Sequence, residues 1–388
     1  MSQHPAPVAR PFWTPGVLVM VGFMIAGGLA LLYRFTGGLG AVSNLDNAYP
    51  WGLWIGVDVA SGVALAAGGF TTAFLGHILG REAYEPVVRP ALLTAALGYT
   101  FVAFGVFVDI GRSWAVWKPI IFQNHNSALF EVAICVMTYL SVLWIEMIPI
   151  IAERYGKKIP LLGALDRGLS KFMWVFIILG VVLSCMHQSS LGTLMAIAPT
   201  KVHPLWYTPW LPLLFLLSAF AVGYPMVVVE TTIATSSLKL ESETPVLSRL
   251  IRFTILTLGL YMAIKFWDLA DRGAFIYLWD GSGRSIAFWA EVGLGVILPW
   301  VLLLFPGVRA SRRALFTVCL FIVAGVLLNR INVFITAFAP PFANHNYYPA
   351  MGEILVTAGC AATIMFLYRI GVTYLPVLSA RRIEEVES

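Results

Sequence analysis

The stretch Phe172–Glu230, FMWVFIILGVVLSCMHQSSLGTLMAIAPTKVHPLWYTPWLPLLFLLSAFAVGYPMVVVE, decides the fold. Two apolar runs, Phe172–Leu183 and Leu211–Val229, flank a polar centre. That centre holds His187, Gln188, Ser189 and Ser190, then Lys201, His203 and a belt of Trp206, Tyr207 and Trp210. Aromatic residues of this kind mark where a chain meets lipid headgroups. Polar side chains beside a membrane-length segment are costly unless they meet a partner, a ligand or water. The plainer reading of the centre is a loop with a helix end. Four consecutive hydrogen-bonding residues at the mouth of a bundle point instead to a polar pocket.

Outward from this stretch the same alternation repeats. A bilayer is crossed by about 20 apolar residues, and ten segments qualify: 16–35, 52–75, 91–110, 127–150, 172–195, 211–234, 253–270, 286–305, 315–338 and 351–371. The fifth either runs through 195 or stops near Met186 and leaves Leu191–Ile197 as a short interfacial helix. No soluble domain, Gly/Ser linker or low-complexity tract interrupts the series. The expected fold is therefore all-α, a single polytopic transmembrane bundle over 1–388. NSALFE (Asn126–Glu131) and RSIAFWAE (Arg284–Glu291) open spans four and eight alike. This faint similarity suggests two four-helix units, 52–195 and 211–305 or 211–338, with the first span and 351–371 flanking them.

Composition agrees. The 388 residues are 59% hydrophobic and 12% charged, with a mean hydropathy of +0.83, whereas a soluble chain carries roughly 25% charged residues. The net charge of +5 follows from loop basicity and calls for no nucleic acid. Most of the Lys and Arg residues, among them Arg154, Lys157, Lys158, Arg312 and Arg313, fall on the side of the two termini. Basic loops stay in the cytoplasm, so both termini are expected there. Cys135, Cys185, Cys319 and Cys360 are widely separated, with no CxxC. Neither a zinc site nor an iron–sulfur cluster is expected in this chain. The N-terminus lacks the short apolar core and cleavage site of a signal peptide.

The loops on the other side are long and rich in Trp, Tyr, Pro, Asn and His, as in RSWAVWKPIIFQNHN (Arg112–Asn126) and APPFANHNYYP (Ala339–Pro349). An aromatic belt explains the Trp and Tyr, and a docking surface for an extracytoplasmic partner explains the rest.

Ionisable residues within spans carry the chemistry. Asp58, Glu131 and Glu230 lie among apolar neighbours, where a carboxylate either carries a proton or meets a partner. Protonatable groups spaced across a membrane are what proton transfer needs. Asp109 and Arg112, three residues apart, are placed to pair on one helix face. Glu146, before Pro149 and a basic loop, reads as an interfacial charge. Glu291, Tyr99, His77 and Asn329 are further candidates. A two-histidine haem needs facing ligands within the bundle. Of the six histidines none lies mid-span, so the chain is expected to carry no haem.

PWGLWIGVD (Pro50–Asp58), RPALLTAALGY (Arg89–Tyr99), DIGRSW (Asp109–Trp114), NSALFEVAICVM (Asn126–Met137), SCMHQSSLGTL (Ser184–Leu194) and HPLWYTP (His203–Pro209) resemble the polysulfide reductase NrfD-like family. Within it the chain is most similar to the HybB branch, membrane subunits of periplasmic nickel–iron uptake hydrogenases. The resemblance is densest from Tyr49 to Glu230. It implies a quinone-reactive subunit of the bacterial inner membrane that takes menaquinone or ubiquinone as substrate. The implied partners are a periplasmic ferredoxin-like iron–sulfur subunit and the large and small hydrogenase subunits. By the same resemblance His187, Arg112, Asp109 and Tyr99, with Asp58, serve the quinone pocket, and Glu131 and Glu230, again with Asp58, carry protons. A molybdenum enzyme or multihaem cytochrome is the alternative partner. A proton-coupled secondary transporter is the reading from a different class, and there broken helices at the midplane would be expected.

Overall fold

The computed structural model describes residues 5–8, 10–78, 80 and 84–379, with the side chains of 77 and 78 left aside. Arg81, Arg381, Arg382 and His4 lie outside the described residues, as does the side chain of His77. Among the described residues ten helices are long and apolar enough to cross a membrane: α1 (Pro15–Gly37), α2 (Trp54–Gly76), α3 (Glu85–Asp109), α4 (Ala128–Tyr155), α5 (Met173–Ala196), α6 (Leu211–Leu238), α7 (Thr244–Asp271), α8 (Gly283–Leu304), α9 (Arg312–Thr336) and α10 (Met351–Tyr374). The chain is a multi-pass integral membrane protein. No strand occurs among the described residues, only isolated bridges at Ala6–Leu378 and Val202–Phe338.

Helices prevail because lipid offers no partner for backbone N–H and C=O groups. Their starts are written locally. Thr14, Ser127, Ser282 and Ser311 cap α1, α4, α8 and α9 by accepting from the N–H three residues on. Prolines stand in the first turns of α1, α3, α6 and α7. Two spans begin earlier than their hydropathy suggests. In α3 the first two turns carry Glu85 and Arg89, and α7 begins with a separate short helix, Thr244–Leu250, that breaks at Ile251.

Helices α2–α5 pack around one another, as do α6–α9, and the two groups join where α2 meets α6 and α9 and where α5 meets α6. Outside them α1 pairs with α10, which rests on α3. The α1–α10 crossing depends on small residues, since a Cβ on Gly27 would stand 2.8 Å from the Cα of Gly359. Three spans contain π-helical stretches: Trp54–Ser61 and Phe74–Ile78 in α2, Ala290–Ile297 in α8 and Asn332–Thr336 in α9. Such wide turns often mark functional positions, and here they carry Asp58, Glu291 and Asn332.

The two ends of the bundle differ. At the loop-rich end, segments 38–53, 197–210 and 337–350 are tied together. Tyr49 donates to the His345 carbonyl (2.8 Å), His203 N–H to Ala337 (2.9 Å) and Ala339 N–H to Lys201 (2.7 Å). The opposite, basic end has short connections and the amphipathic helix Pro160–Leu169. There Arg89 bridges Glu153 (2.9 Å) and the Pro376 carbonyl (2.9 Å).

Candidate functional site

The polar residues at the chain's centre do not end a helix. Helix α5 runs unbroken through them to Ala196, which sets His187 about 14 Å below its loop-rich end at 1.5 Å per residue. The shorter alternative for this span, ending near Met186, is thereby corrected. The helix continues because these side chains face the bundle rather than lipid. Ser184, His187, Gln188 and Ser190 are all buried.

Around His187 gather side chains from three spans. The ring of Tyr99 on α3 lies 5.6 Å away, and Tyr139 on α4 meets Tyr99 edge-on at 4.4 Å. Ser184 faces both phenols. Gln188 donates to the Val63 carbonyl of α2 at 2.8 Å, just before the distortion of α2 at Ala66. Both ring nitrogens of His187, the hydroxyls of Tyr99, Tyr139 and Ser184, and Oε1 of Gln188 have no hydrogen-bond partner. Buried polar atoms are rarely left so, and here they converge. One turn nearer the loop-rich end, Ser190 donates to Oε1 of Glu131 at 2.5 Å. Glu131 is exposed in the first turn of α4.

A second cluster occupies the loop-rich end between α1, α2, α3 and α10. Asp58, in its π-helical turn, accepts from Thr357 at 2.8 Å. Asp109 lies close enough to sense Glu353, Arg34 and Asp58, and its Oδ1 has no partner. Glu353 is fully buried; it accepts from the N–H groups of Asn44 and Ala350 (3.1 Å each) and from the Tyr347 hydroxyl. Burial and that bond push the Tyr347 pKa above its ordinary value.

The expected Asp109–Arg112 pair does not form. Helix α3 ends at Asp109 and Ile110 turns to extended backbone, so the three-residue spacing no longer shares a face. Arg112 is exposed on the following loop. The buried cation near Asp109 is Arg34 of α1, which donates to the carbonyls of Val108 (2.8 Å) and Ile110 (2.7 Å).

The structure therefore brings His187 and Tyr99 together, and separately Asp58 and Asp109. Tyr99 and Asp109 are ten residues apart on one helix, about 15 Å along its axis. Glu230 stands elsewhere, toward the basic end of α6, facing Thr94 of α3 and Tyr368 of α10, with its Oε1 unpartnered.

A third polar group was not foreseen beyond Glu291 and Asn329. Glu291 is fully buried on α8 and accepts four bonds: Lys265 Nζ and Asn329 Nδ2 on Oε1 (2.7 Å each), Trp206 Nε1 (2.7 Å) and Asn332 Nδ2 (2.9 Å) on Oε2. Arg330, also fully buried, stacks 3.6 Å over Phe215 and donates to Ser218 (2.8 Å) and Asn329 (2.7 Å). Glu131 and Glu291 open their spans with similar sequences but have opposite surroundings, one exposed and one sealed. Lys265, Arg330, Arg34 and Glu353 are charges inside or beside apolar runs, the signal by which the sequence could have flagged them.

The model of the family described as polysulphide reductase, NrfD, matches residues 41–340. The chain is 36% identical, over 97% of each chain, to a protein of Nitratidesulfovibrio vulgaris strain Hildenborough. It is 33% identical to the probable Ni/Fe-hydrogenase 2 b-type cytochrome subunit of Escherichia coli K12, over 97% of this chain and 96% of the relative. The menaquinone reductase integral membrane subunit of N. vulgaris is 28% identical, over 94% and 91%.

The second of these names corrects the expectation of a haem-free chain, because a b-type cytochrome is a haem protein. Among the described side chains, His187 offers free ring nitrogens inside the bundle. His125, His203 and His345 sit on the loops, His345 with Asp46 at 3.0 Å. The described histidines thus supply one interior ligand and no second one facing it. Matched across its central 300 positions and related nearly end to end to membrane subunits of redox enzyme complexes, the chain belongs to the polysulphide reductase NrfD family.

Proposed function

We propose that this membrane subunit of a respiratory oxidoreductase complex passes electrons between an iron–sulfur partner and the membrane quinone pool. The observation that carries the reading is the His187 cluster. A quinone accepts two electrons and two protons to become quinol, and it needs hydrogen-bonding groups for two carbonyl oxygens in a water-poor site. His187, Tyr99, Tyr139 and Ser184 present buried, unpartnered groups of that kind. Positioned donors stabilise charge as it develops on oxygen, and Ser190 with Glu131 continues the polar line toward the loop-rich end. Asp58, Asp109 and Arg112 flank the same end, Arg112 on its surface.

The partner side is the loop-rich end, which this reading puts in the periplasm with both termini in the cytoplasm of a bacterial inner-membrane protein. Trp114 (74% exposed), Trp279 (77%) and Phe342 (93%) stand out there, beside Ile121 and Phe122. Exposed aromatic patches rimmed by polar residues suit a protein interface. A ferredoxin-like iron–sulfur subunit fits it, with a nickel–iron hydrogenase behind it, as the name of the E. coli relative suggests. Glu230 then carries protons at the cytoplasmic end, and Asp58 at the loop-rich end.

The test is mild-detergent purification of the chain with its companions, followed by hydrogen-driven reduction of menadione or decylubiquinone. Co-elution of hydrogenase and iron–sulfur subunits with quinone turnover supports the reading, and the optical spectrum of the same sample reports any b-type haem. A chain that elutes alone and exchanges solute in liposomes overturns it. Glu230→Gln should assemble normally and lose part of its proton uptake during turnover.

A further inference from the structure

Helix α4 repeats a polar residue every seven positions on one face: Tyr139, Glu146 and Glu153. Its first member belongs to the His187 cluster and its last meets Arg89 at the basic end, 2.9 Å away. Glu146 stands between them and has no part in the site described above. It lies close to Gly180 of α5. A Cβ there would come 2.8 Å from Glu146 Oε1 and 3.6 Å from Tyr139 Cε2, so carboxylate and phenol ring border the same point. Tyr139, Leu143, Glu146 and Gly180 also line one small cavity that Phe70 and Leu92 close, with space for about one water. A water placed there would lie between the Glu146 carboxylate and the Tyr139 ring.

The backbone adds a polar atom at this depth. Pro149 inside α4 has no N–H, which releases the carbonyl of Ile145 from the helix ladder. Toward the loop-rich end the line continues through rings already in contact, Tyr139 to Tyr99 at 4.4 Å and Tyr99 to His187 at 5.6 Å, with Ser184 facing both phenols. Glu230, by contrast, faces α3 and α10.

We propose that Glu146 is a second proton carrier, distinct from Glu230, that serves the His187 cluster from the basic end of the membrane, through Tyr139, Tyr99 and Ser184. This rests on the quinone reading. Each quinone reduced takes two protons and two electrons; this line delivers protons as hydrogen-bond hops while the iron–sulfur partner supplies the electrons.

The experiment uses the complex purified with its own subunits, with decylubiquinone as acceptor and reduced methyl viologen as donor. Glu146→Gln should lower kcat at least tenfold, a modest part of what positioned acid–base groups contribute. KM for decylubiquinone should stay within about twofold, because the residue is remote from the headgroup. Glu146→Asp should recover much of the rate, and Tyr139→Phe should slow turnover similarly with a larger solvent deuterium isotope effect. Wild-type kcat in Glu146→Gln overturns the proposal, as does an equal loss in Gln and Asp with an unchanged isotope effect. Should Glu146→Gln fail to assemble, Tyr139→Phe, which removes one oxygen, decides alone. A wild-type complex that does not reduce decylubiquinone refutes the quinone reading itself, an outcome separate from wild-type turnover that is indifferent to Glu146.

Discussion

Lys265→Met tests whether the sealed network between α7, α8 and α9 holds the second helix group together. Glu291 fills both carboxylate oxygens with two donors each, and Lys265 Nζ is the cation among them at 2.7 Å. The ammonium has little else: the Tyr261 hydroxyl at 3.2 Å and the Phe288 ring face at 5.0 Å. Removing one member of a buried ion pair leaves an uncompensated charge and costs about 3–5 kcal/mol. The loss of the cation–π contact is a smaller part of that. Glu291→Gln leaves the ammonium stranded and should cost a similar amount. The double variant removes both charges, so it should cost less than the two single losses together, by about 2–3 kcal/mol. SDS titration of the purified chain, followed by tryptophan fluorescence and circular dichroism, measures all three. A Lys265→Met chain that unfolds at the wild-type SDS fraction, or strictly additive single losses, would refute the reasoning. The fraction that stays folded should keep its quinone turnover, since the network is an anchor and not part of the His187 line.

Two further outcomes follow from the same structure. Gly359→Leu should cost about 1–3 kcal/mol of stability and lower the SDS midpoint, because a Cβ there meets the backbone of Gly27 at 2.8 Å. Gly28→Leu on the neighbouring position, where a Cβ meets nothing within 4 Å, should be close to neutral in the same titration. At the loop-rich end, Asp46 accepts from the N–H groups of Tyr49 (2.7 Å) and Ala48 (2.8 Å) and pairs with His345. The Tyr49 N–H first, then Ala48 and His345, hold its pKa below the ordinary carboxylate value. A depressed carboxylate gives stability that is present above its unfolded pKa and is lost as pH falls through the folded one. Hydrogen exchange at Ala48 and Tyr49, corrected for intrinsic rates, should therefore accelerate below about pH 4, and Asp46→Asn should remove that acid dependence.

Much of the fold was legible because a bilayer imposes one length on every span. The ten segments and the polar centre at His187 stand in the hydropathy alone. Charges within apolar runs were equally visible, and Asp58 and Glu230 prove to be residues whose surroundings the fold had to arrange. What misled was sequence spacing taken as geometry. Asp109 and Arg112 share a face only while a helix continues, and α3 stops between them. Ser184–Ser190 look like a helix end only while their partners on α2, α3 and α4 are unseen. The small cavity that Glu146 borders was not legible either, because its neighbour Gly180 lies on another helix and contributes no side chain.

The sequence by itself determined how many times the chain crosses the membrane, which end is basic, where the helices begin and which residues are too polar for their depth. Those properties depend on runs of neighbouring residues and on capping within one turn. Only the tertiary structure decided which of those polar residues meet. Thr357 reaches Asp58 across 299 positions of sequence, Asn44 reaches Glu353 across 309, and Tyr139 lines up with His187 through a tyrosine on a third helix. Partners for buried charge are chosen by the rotation and depth of whole helices against each other, and no local pattern in the chain encodes those quantities.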